Sequence, residues 1–374
     1  MDFFEDLTKT HAFLKEVKGP LKVISHLDAD GLSAAAIAMS VLRSQGIPFS
    51  LSIVPTLEEE TIKRHISPEH SVMFCDLGSG QLKMLNKALE GRNVCILDHH
   101  EIEEETAFYH INPRAYGMDG DLEISGAGVV YQWAKSFGKA DHLSHLAIIG
   151  AVGDVQEDQG FKGINKQMLA QAIDAGIIEQ HKTIRWFGQH SKKLVNLLAY
   201  GDVRIPGIIK NMSAAEGFLK DLGINTKIGD KDVMMYNLTS QEQKRLADAI
   251  IKRREKLEDA HDIFWNAYLL KNEQDGTLTR DIRELSTLLN ACGRLSKPSV
   301  GLGLLLNDQK CKELAQVVNT AYKNRIVSAI RWYKDNKDNG DAIIRRDNAI
   351  IIKAQDNVLS TMIGTLASIV ANEE

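Results

Sequence analysis

Between Lys22 and about Asp154 the chain alternates short apolar runs with helical stretches, and this rhythm constrains the fold more than any other feature. Strands are expected at Leu21–Ser25, Phe49–Val54, Ser71–Cys75 and Asn93–Leu97, with helices at Leu32–Arg43, Leu57–Arg64 and Gln81–Leu89 between them. Strands that alternate with helices in this way specify an α/β fold, a parallel sheet with helices on both faces. Ligands of such sheets bind at the carboxyl ends of the strands. The buried strands should therefore run into chemistry.

The informative ones do. The first runs into His26-Leu27-Asp28-Ala29-Asp30-Gly31, and the alternation of side chains along a strand would set His26, Asp28 and Asp30 on one side. The third ends in Asp76-Leu77-Gly78-Ser79-Gly80 and the fourth in Asp98-His99-His100. An apolar helical run, Leu146–Gly153, delivers Asp154. Taken singly, each piece is equally well explained as a turn former, a helix cap or a solvated loop. Four segments bringing Asp or His to one sheet edge make a joint signal that those explanations do not cover.

Counting charge sharpens the expectation. His26, Asp28, Asp30, Asp76, His99 and Asp154 supply two imidazoles and four carboxylates, whose charge two divalent cations neutralise. Without cations, so many carboxylates at a buried edge are strongly destabilising. Mixed imidazole and carboxylate donors suit manganese, with magnesium, cobalt or zinc as alternatives, and no thiolates of a structural zinc site are offered. Two such ions bridged by a shared carboxylate activate water and stabilise in-line displacement at phosphorus, so the reaction class is phosphoester hydrolysis.

Composition sets the bounds. A chain of 374 residues is too long for one ordinary core and points to two domains with an insertion. A formal net charge of -5 excludes a generally basic nucleic-acid coat, so contact with nucleic acid must come from a local basic patch or from metal ions. Cys75, Cys95, Cys292 and Cys311 are too widely spaced for a CxxC site, and a reducing cytoplasm is the expected setting. The acidic start, Met1-Asp2-Phe3-Phe4-Glu5-Asp6, does not resemble a signal peptide, and no apolar run reaches the length of a membrane span.

Ser25-His26-x-Asp28-x-Asp30-Gly31, the Asp76 strand end, Asp98-His99-His100 and Gly153-Asp154 resemble motifs I to IV of the DHH phosphoesterase superfamily. Four further stretches narrow the branch: Phe74–Gln81, Ile111-Asn112-Pro113-Arg114, Glu123–Val129 and Ile149–Asp154. Together with Arg185-Trp186-Phe187-Gly188 and Ile205-Pro206-Gly207, they are similar to the archaeal RecJ-like proteins called GINS-associated nucleases. The resemblance implies one metal held by His26, Asp28 and Asp76, and a second held by Asp30, Asp76, His99 and Asp154, with Asp76 as the bridge. It further implies that Asp98 orients a ligand and that His100 contacts the substrate phosphate. Arg114, Ser125, Asn290 and Arg294 are the implied substrate contacts, the last two from Asn290-Ala291-Cys292-Gly293-Arg294-Leu295.

Four regions are expected. They are a DHH domain over 1–200, a mainly helical insertion over 201–280, connecting helices over 281–340, and the start of a DHHA1-like α/β lobe over 341–374. In the insertion, Lys210–Gly223 and Ser240–Ala260 read as helices, the second opened by a capping box of Ser240 with Gln243. The basic cluster Lys252–Lys256 reads as a solvated helix face. Lys323, Arg325, Arg331 and Lys334 on the long helix Lys312–Tyr333 are a candidate backbone-tracking face. The Gly-Gly-Gly-His element of the second lobe does not occur before Glu374, so that lobe is expected to be incomplete, with a weaker grip on long strands and intact metal chemistry.

The function the resemblance implies is a two-metal exonuclease on single-stranded nucleic acid, 5′-to-3′ on DNA, serving replication or repair beside GINS. The alternatives are a 3′-to-5′ phosphodiesterase of short RNAs and a mainly structural GINS-binding factor.

Overall fold

The computed structural model describes residues 2–158 and 160–373. Helix α1 (Phe3–Glu16), capped by Asp2, leads into strand β1 (Leu21–His26). Helix α2 (Ala29–Ser44), strand β2 (Phe49–Val54), helix α3 (Glu59–His65) and strand β3 (Val72–Cys75) follow. Helix α4 (Leu82–Ala88), strand β4 (Val94–Leu97) and strand β5 (Tyr109–Ile111) complete a five-stranded sheet of order β2-β1-β3-β4-β5. All its pairings are parallel. The chain moves from β1 outward to β2 and returns on the other side to β3, so the order reverses between β1 and β3. That reversal opens a crevice at the carboxyl ends. Ser25 pairs with Cys75 and Cys75 with Leu97, so Asp76 and Asp98 leave the sheet side by side.

Both faces are buried, as the strand sequences require. Ile24, Phe74 and Ile96 pack with Ile62, Leu82 and Leu85 of α3 and α4. Val23, Met73 and Cys95 face the opposite way, into a core shared with α1, α2, helix α5 (Gly126–Lys135), helix α6 (Ser144–Gly153) and helix α7 (Gly163–Asp174). The expected α/β architecture is therefore the one observed.

Strand β6 (Ile178–Ile184) then leaves this body. The chain runs through helix α8 (Leu194–Tyr200), helix α9 (Met212–Asp221), short strands β7 (Lys227–Ile228) and β8 (Lys231–Asp232) and helix α10 (Ser240–Arg254). It returns on strand β9 (Phe264–Leu270), antiparallel to β6, with Ile178 opposite Leu270 and Ile184 opposite Phe264. The inserted residues have a core of their own around Trp186, Leu197, Leu219, Leu246 and Ile250.

Helix α11 (Ile282–Arg294), capped by Asp281, brings the chain back to the first body, where its Ser286 hydroxyl donates to the Ile149 carbonyl of α6 at 2.9 Å. Helix α12 (Pro298–Leu305), helix α13 (Gln309–Asn336), the hairpin of strands β10 (Ile343–Arg346) and β11 (Ala349–Ile352), and helix α14 (Ile363–Glu373) build a third core. Gly293 sets how close α11 comes: a Cβ there would lie 1.8 Å from the Leu27 carbonyl oxygen. The Gly of the Asn-Ala-Cys-Gly-Arg-Leu element thus seats α11 directly on the loop between β1 and α2.

Several expectations are corrected. Helix α2 begins at Ala29 instead of Leu32, because Asp28 accepts the Gly31 N–H at 2.9 Å and caps it. His26 alone of the His-x-Asp-x-Asp run lies on the strand, so helix geometry, not strand alternation, aims Asp28 and Asp30. The capping box of α10 is formed by Thr239 and Glu242, one residue earlier than Ser240 and Gln243. Helix α10 stops at Arg254, and α9 runs from Met212 to Asp221. Lys210, at φ 57°, stands in the left-handed region and cannot belong to a right-handed helix. Arg254 is not on a solvated face: it is 3% exposed and donates to the carbonyls of Arg204 and Asp259.

Glu284, in the first turn of α11, is buried, and its Oε1 accepts the His190 N–H at 3.0 Å. Burial pushes its carboxyl from an ordinary 4.5 up to about 7. The folded state therefore holds this proton more tightly than the unfolded chain, and stability falls as pH rises through that window. Urea unfolding should show Glu284→Gln more stable than wild type by about 2–3 kcal/mol at a pH near 8, and nearly equal to it at a pH near 4.5. Equal stability at the higher pH would contradict this.

Candidate metal centre

At the reversal between β1 and β3 the four segments meet. His26 ends β1, Asp28 and Asp30 open α2, Asp76 follows β3, Asp98, His99 and His100 follow β4, and Asp154 caps α6. Two groups of potential ligand atoms within 4.8 Å of one another share no residue: His26, Asp28 and Asp76, and Asp30, His99 and Asp154; a third, Asp76, Asp98, His99 and His100, overlaps both. In the first, His26 Nδ1 is 2.7 Å from Asp28 Oδ2 and 3.8 Å from Asp76 Oδ2. In the second, His99 Nε2 lies 3.8 Å from Asp30 Oδ2, 3.3 Å from Asp154 Oδ2 and 3.4 Å from Asp76 Oδ1. One oxygen of Asp76 thus faces each group.

The donor set fits divalent cations by what it leaves unpaired. Both carboxylate oxygens of Asp76 and the Nε2 of His99 are buried without a hydrogen-bond partner. Asp76 is also held at φ 60°, a left-handed conformation that an L-aspartate adopts at a cost. Burial, then the charges of Asp30, Asp28 and Asp98, pushes the Asp76 carboxyl well above the usual range. Burial followed by Asp30 and Asp76 does the same to Asp154. Burial disfavours charge on His26 and His99, yet Asp28 beside the one and Asp30 and Asp154 beside the other raise both pKa values.

The remaining residues hold this set in place. Asp30 is gripped by the amino end of α5: Ser125 Oγ donates at 2.8 Å, and the N–H groups of Gly126 and Ala127 donate at 2.6 and 3.0 Å. Gly126 is required there, since a Cβ would stand 2.4 Å from Asp76 Oδ1. The carbonyl of Gly120 pairs with His99 Nδ1 at 2.7 Å and accepts from Gln156 Nε2 at 2.9 Å, which fixes the proton on Nδ1 and turns the Nε2 lone pair to the cluster. Asp98 accepts from the N–H groups of Ser79 and His99 and sits 2.7 Å from His100 Nδ1. Burial opposes its ionisation, but the hydrogen bond and charge of His100 hold its carboxyl far below the usual range.

The expected substrate contacts divide. Arg114 lines a cleft of about 540 Å3 beside His26, Asp76 and His100. Its Nε donates to the His99 carbonyl, and its two Nη atoms each lie 2.7 Å from an exposed carboxylate, Glu101 or Asp121. Ser125 is fully buried, and its hydroxyl is spent on Asp30. Asn290 Oδ1 accepts the Ala29 N–H at 2.8 Å and so steadies the start of α2. Arg294 turns to the Tyr322 hydroxyl at 2.7 Å. Sequence reasoning missed the Gly120 carbonyl and Gln156, because a backbone acceptor has no residue signature.

Residues 21–153 match the DHH family, N-terminal domain, and residues 186–260 match the DHH-CID domain. An uncharacterized protein of Methanocaldococcus jannaschii is 30% identical over 353 residues, covering 91% of this chain and 77% of that protein. The chain belongs to the DHH family. Its fold is RecJ-like. A structure of exonuclease RecJ bound to manganese aligns with a TM-score of 0.55 at 15% identity, covering 100% of this chain and 78% of that one. The structure of CDC45 from Entamoeba histolytica aligns at 0.58 and 14% identity, over 85% of this chain and 73% of that one.

Asp76, Asp154, His26 and His99 all bind protons more tightly than their ordinary pKa values, so a divalent cation held by them would compete with protons. Manganese binding should therefore release protons, and apparent affinity should climb as pH is raised from about 6 to about 8. Titration calorimetry in buffers of differing ionisation enthalpy measures both; affinity independent of pH would count against the ligand set. Ser125→Ala, which removes one of the donors holding Asp30, should weaken manganese about tenfold in the same titration.

Proposed function

We propose that this protein is a two-metal phosphodiesterase that hydrolyses single-stranded nucleic acid from an end, 5′-to-3′ on DNA, in replication or repair beside GINS. The observation that carries the reading is Asp76, a buried carboxylate with both oxygens unpartnered and one toward each ligand group. His26, Asp28 and Asp76 would hold one cation, and Asp30, Asp76, His99 and Asp154 the other, with manganese the preferred ion. Such a pair, when bound, supplies a nucleophile at neutral pH and charge neutralisation at phosphorus. The manganese in the RecJ exonuclease structure supports the same choice of ion.

The chain's own residues do the rest. His100 is half exposed, and its hydrogen bond to Asp98, working against burial, raises its pKa and favours the imidazolium. Nδ1 is committed to Asp98, so Nε2 is the nitrogen that reaches a phosphate oxygen and delivers a proton to the leaving oxygen. Arg114 is pre-oriented by the His99 carbonyl. Its carboxylate partners are 83% and 72% exposed, so an incoming phosphate can displace them and take a bidentate grip. Glu58, Glu101 and Asp121 make the cleft acidic, which favours entry of a polyanion only once cations are in place.

A second reading, a GINS-binding subunit in which hydrolysis is incidental, draws on the CDC45-like fold. The complete ligand set favours the first. Strands of DNA and RNA labelled at either end and incubated with manganese should lose mononucleotides from the 5′ end, with DNA preferred. Asp76→Ala should abolish this, a loss of at least about a thousandfold. Hydrolysis that survives Asp76→Ala would overturn the two-metal reading, and a wild-type protein inert on every strand yet co-eluting with GINS would establish the second. Arg114→Ala should raise KM at least about tenfold while lowering kcat less.

A further inference from the structure

The same helix ending recurs through this chain, and one instance departs from the rest. Helices α2, α7 and α9 stop in paired hydrogen bonds from the two residues after the cap, with a glycine in the left-handed region: Gly46, Gly176 and Gly223, at φ 68°, 70° and 65°. Helix α12 uses Asn307 and α11 uses Ser296 at the equivalent place. Small residues and asparagine belong there because a left-handed conformation crowds the Cβ. Helix α6 closes with the same two bonds, Val155 N–H to the Val152 carbonyl at 3.1 Å and Gln156 N–H to the Ala151 carbonyl at 2.9 Å. Its left-handed residue is Val155, at φ 60°.

Valine is a poor choice on two counts. It is the one β-branched residue among the described non-glycine residues with positive φ, and that combination is a true outlier. Its side chain gains nothing from packing either, being 65% exposed, more than any other large apolar side chain among the described residues. The next residue reverses the usual pattern as well. Ile47, Ile177 and Ile224 follow the three glycines, whereas Gln156 is buried here and donates to the Gly120 carbonyl that fixes His99. Strain of this kind persists at functional sites. Val155 is joined to Asp154, about 3.8 Å away between Cα atoms, and the Asp154 carboxylate is 3.3 Å from His99 Nε2.

We propose that Val155 is a substrate-binding residue, an apolar contact for the nucleoside next to the scissile phosphate. The proposal rests on the phosphodiesterase reading above. In a nucleic acid, the apolar surface nearest a phosphate held by the cluster is the flanking base and sugar, and Val155, exposed and next in sequence to Asp154, is the apolar residue we assign to it. Folding alone would favour glycine at this position, so stability and binding should move in opposite directions on substitution.

The test is binding of a dye-labelled single-stranded DNA by fluorescence anisotropy, with calcium replacing manganese to suppress turnover, alongside thermal unfolding. Val155→Gly should raise the unfolding midpoint by about 2 °C. It should weaken binding about tenfold with an unchanged salt slope, since no phosphate contact is lost. Val155→Ile should bind like wild type, and on a strand with an abasic terminal residue wild type and Val155→Gly should bind alike. A Val155→Gly protein that is folded and binds the intact strand as tightly as wild type overturns the proposal. Wild-type protein that binds no single strand shows instead that the nucleic-acid reading fails, and the proposal falls with it.

Discussion

Asp76 carries the central constraint of this molecule: a carboxylate with no protein donor, on a backbone in the left-handed region, at an edge shared with four other aspartates. A buried charge without a partner costs more than most single interactions return. The surrounding structure can be understood as what keeps that residue in place. Parallel pairing of β3 with β1 and β4 fixes where the strand ends, and the glycine at the start of α5 makes room for its oxygens. Divalent cations held here would relieve the repulsion that this framework enforces, which would make metal binding and folding thermodynamically one problem.

The second half of the chain is tied to that centre through one helix. Helix α11 meets the β1–α2 loop by Gly293 and Asn290, meets α6 by Ser286, and meets the residues after Asp154 by Arg283, which lies 2.8 Å from Glu157. Arg283 also stacks on Trp265 of β9 at 3.9 Å. Helix α11 is thus a brace that joins both ligand groups to the base of the insertion, with Asn290 accepting from the Ala29 N–H and Arg294 donating to the Tyr322 hydroxyl.

Much of this was legible in the sequence, for identifiable reasons. Buried parallel strands are short and apolar, so Val72–Cys75 and Val94–Leu97 announce themselves, and the aspartates and histidines that follow them sit where such sheets bind ligands. The placement of Asp28 and Asp30 was less legible, because a strand and a capped helix both bring alternate residues near one point. Side-chain direction was not legible at all. Ser125 and Asn290 look like polar groups of a binding cleft, and only packing reveals that each holds a ligand-bearing turn from behind. The shift from Ser240 to Thr239 as helix cap is a choice between neighbouring residues of nearly equal propensity, settled when the Glu242 side chain reaches back to Thr239.

The ribbon of β6 and β9 has a consequence for inheritance. Ile184 and Phe264 are register partners, so the segment between them enters and leaves through a doorway only about 5 Å wide. A lineage can lengthen, trim or exchange such a cassette by changing what lies beyond the doorway, because any replacement with close-set ends fits the same two strands. The first body has no such freedom, since its candidate ligands come from turns spread between His26 and Asp154. One chain therefore carries two kinds of tolerance: residues beyond the doorway can change while the two strands keep their register, whereas a shift in any turn of the first body would move a candidate ligand.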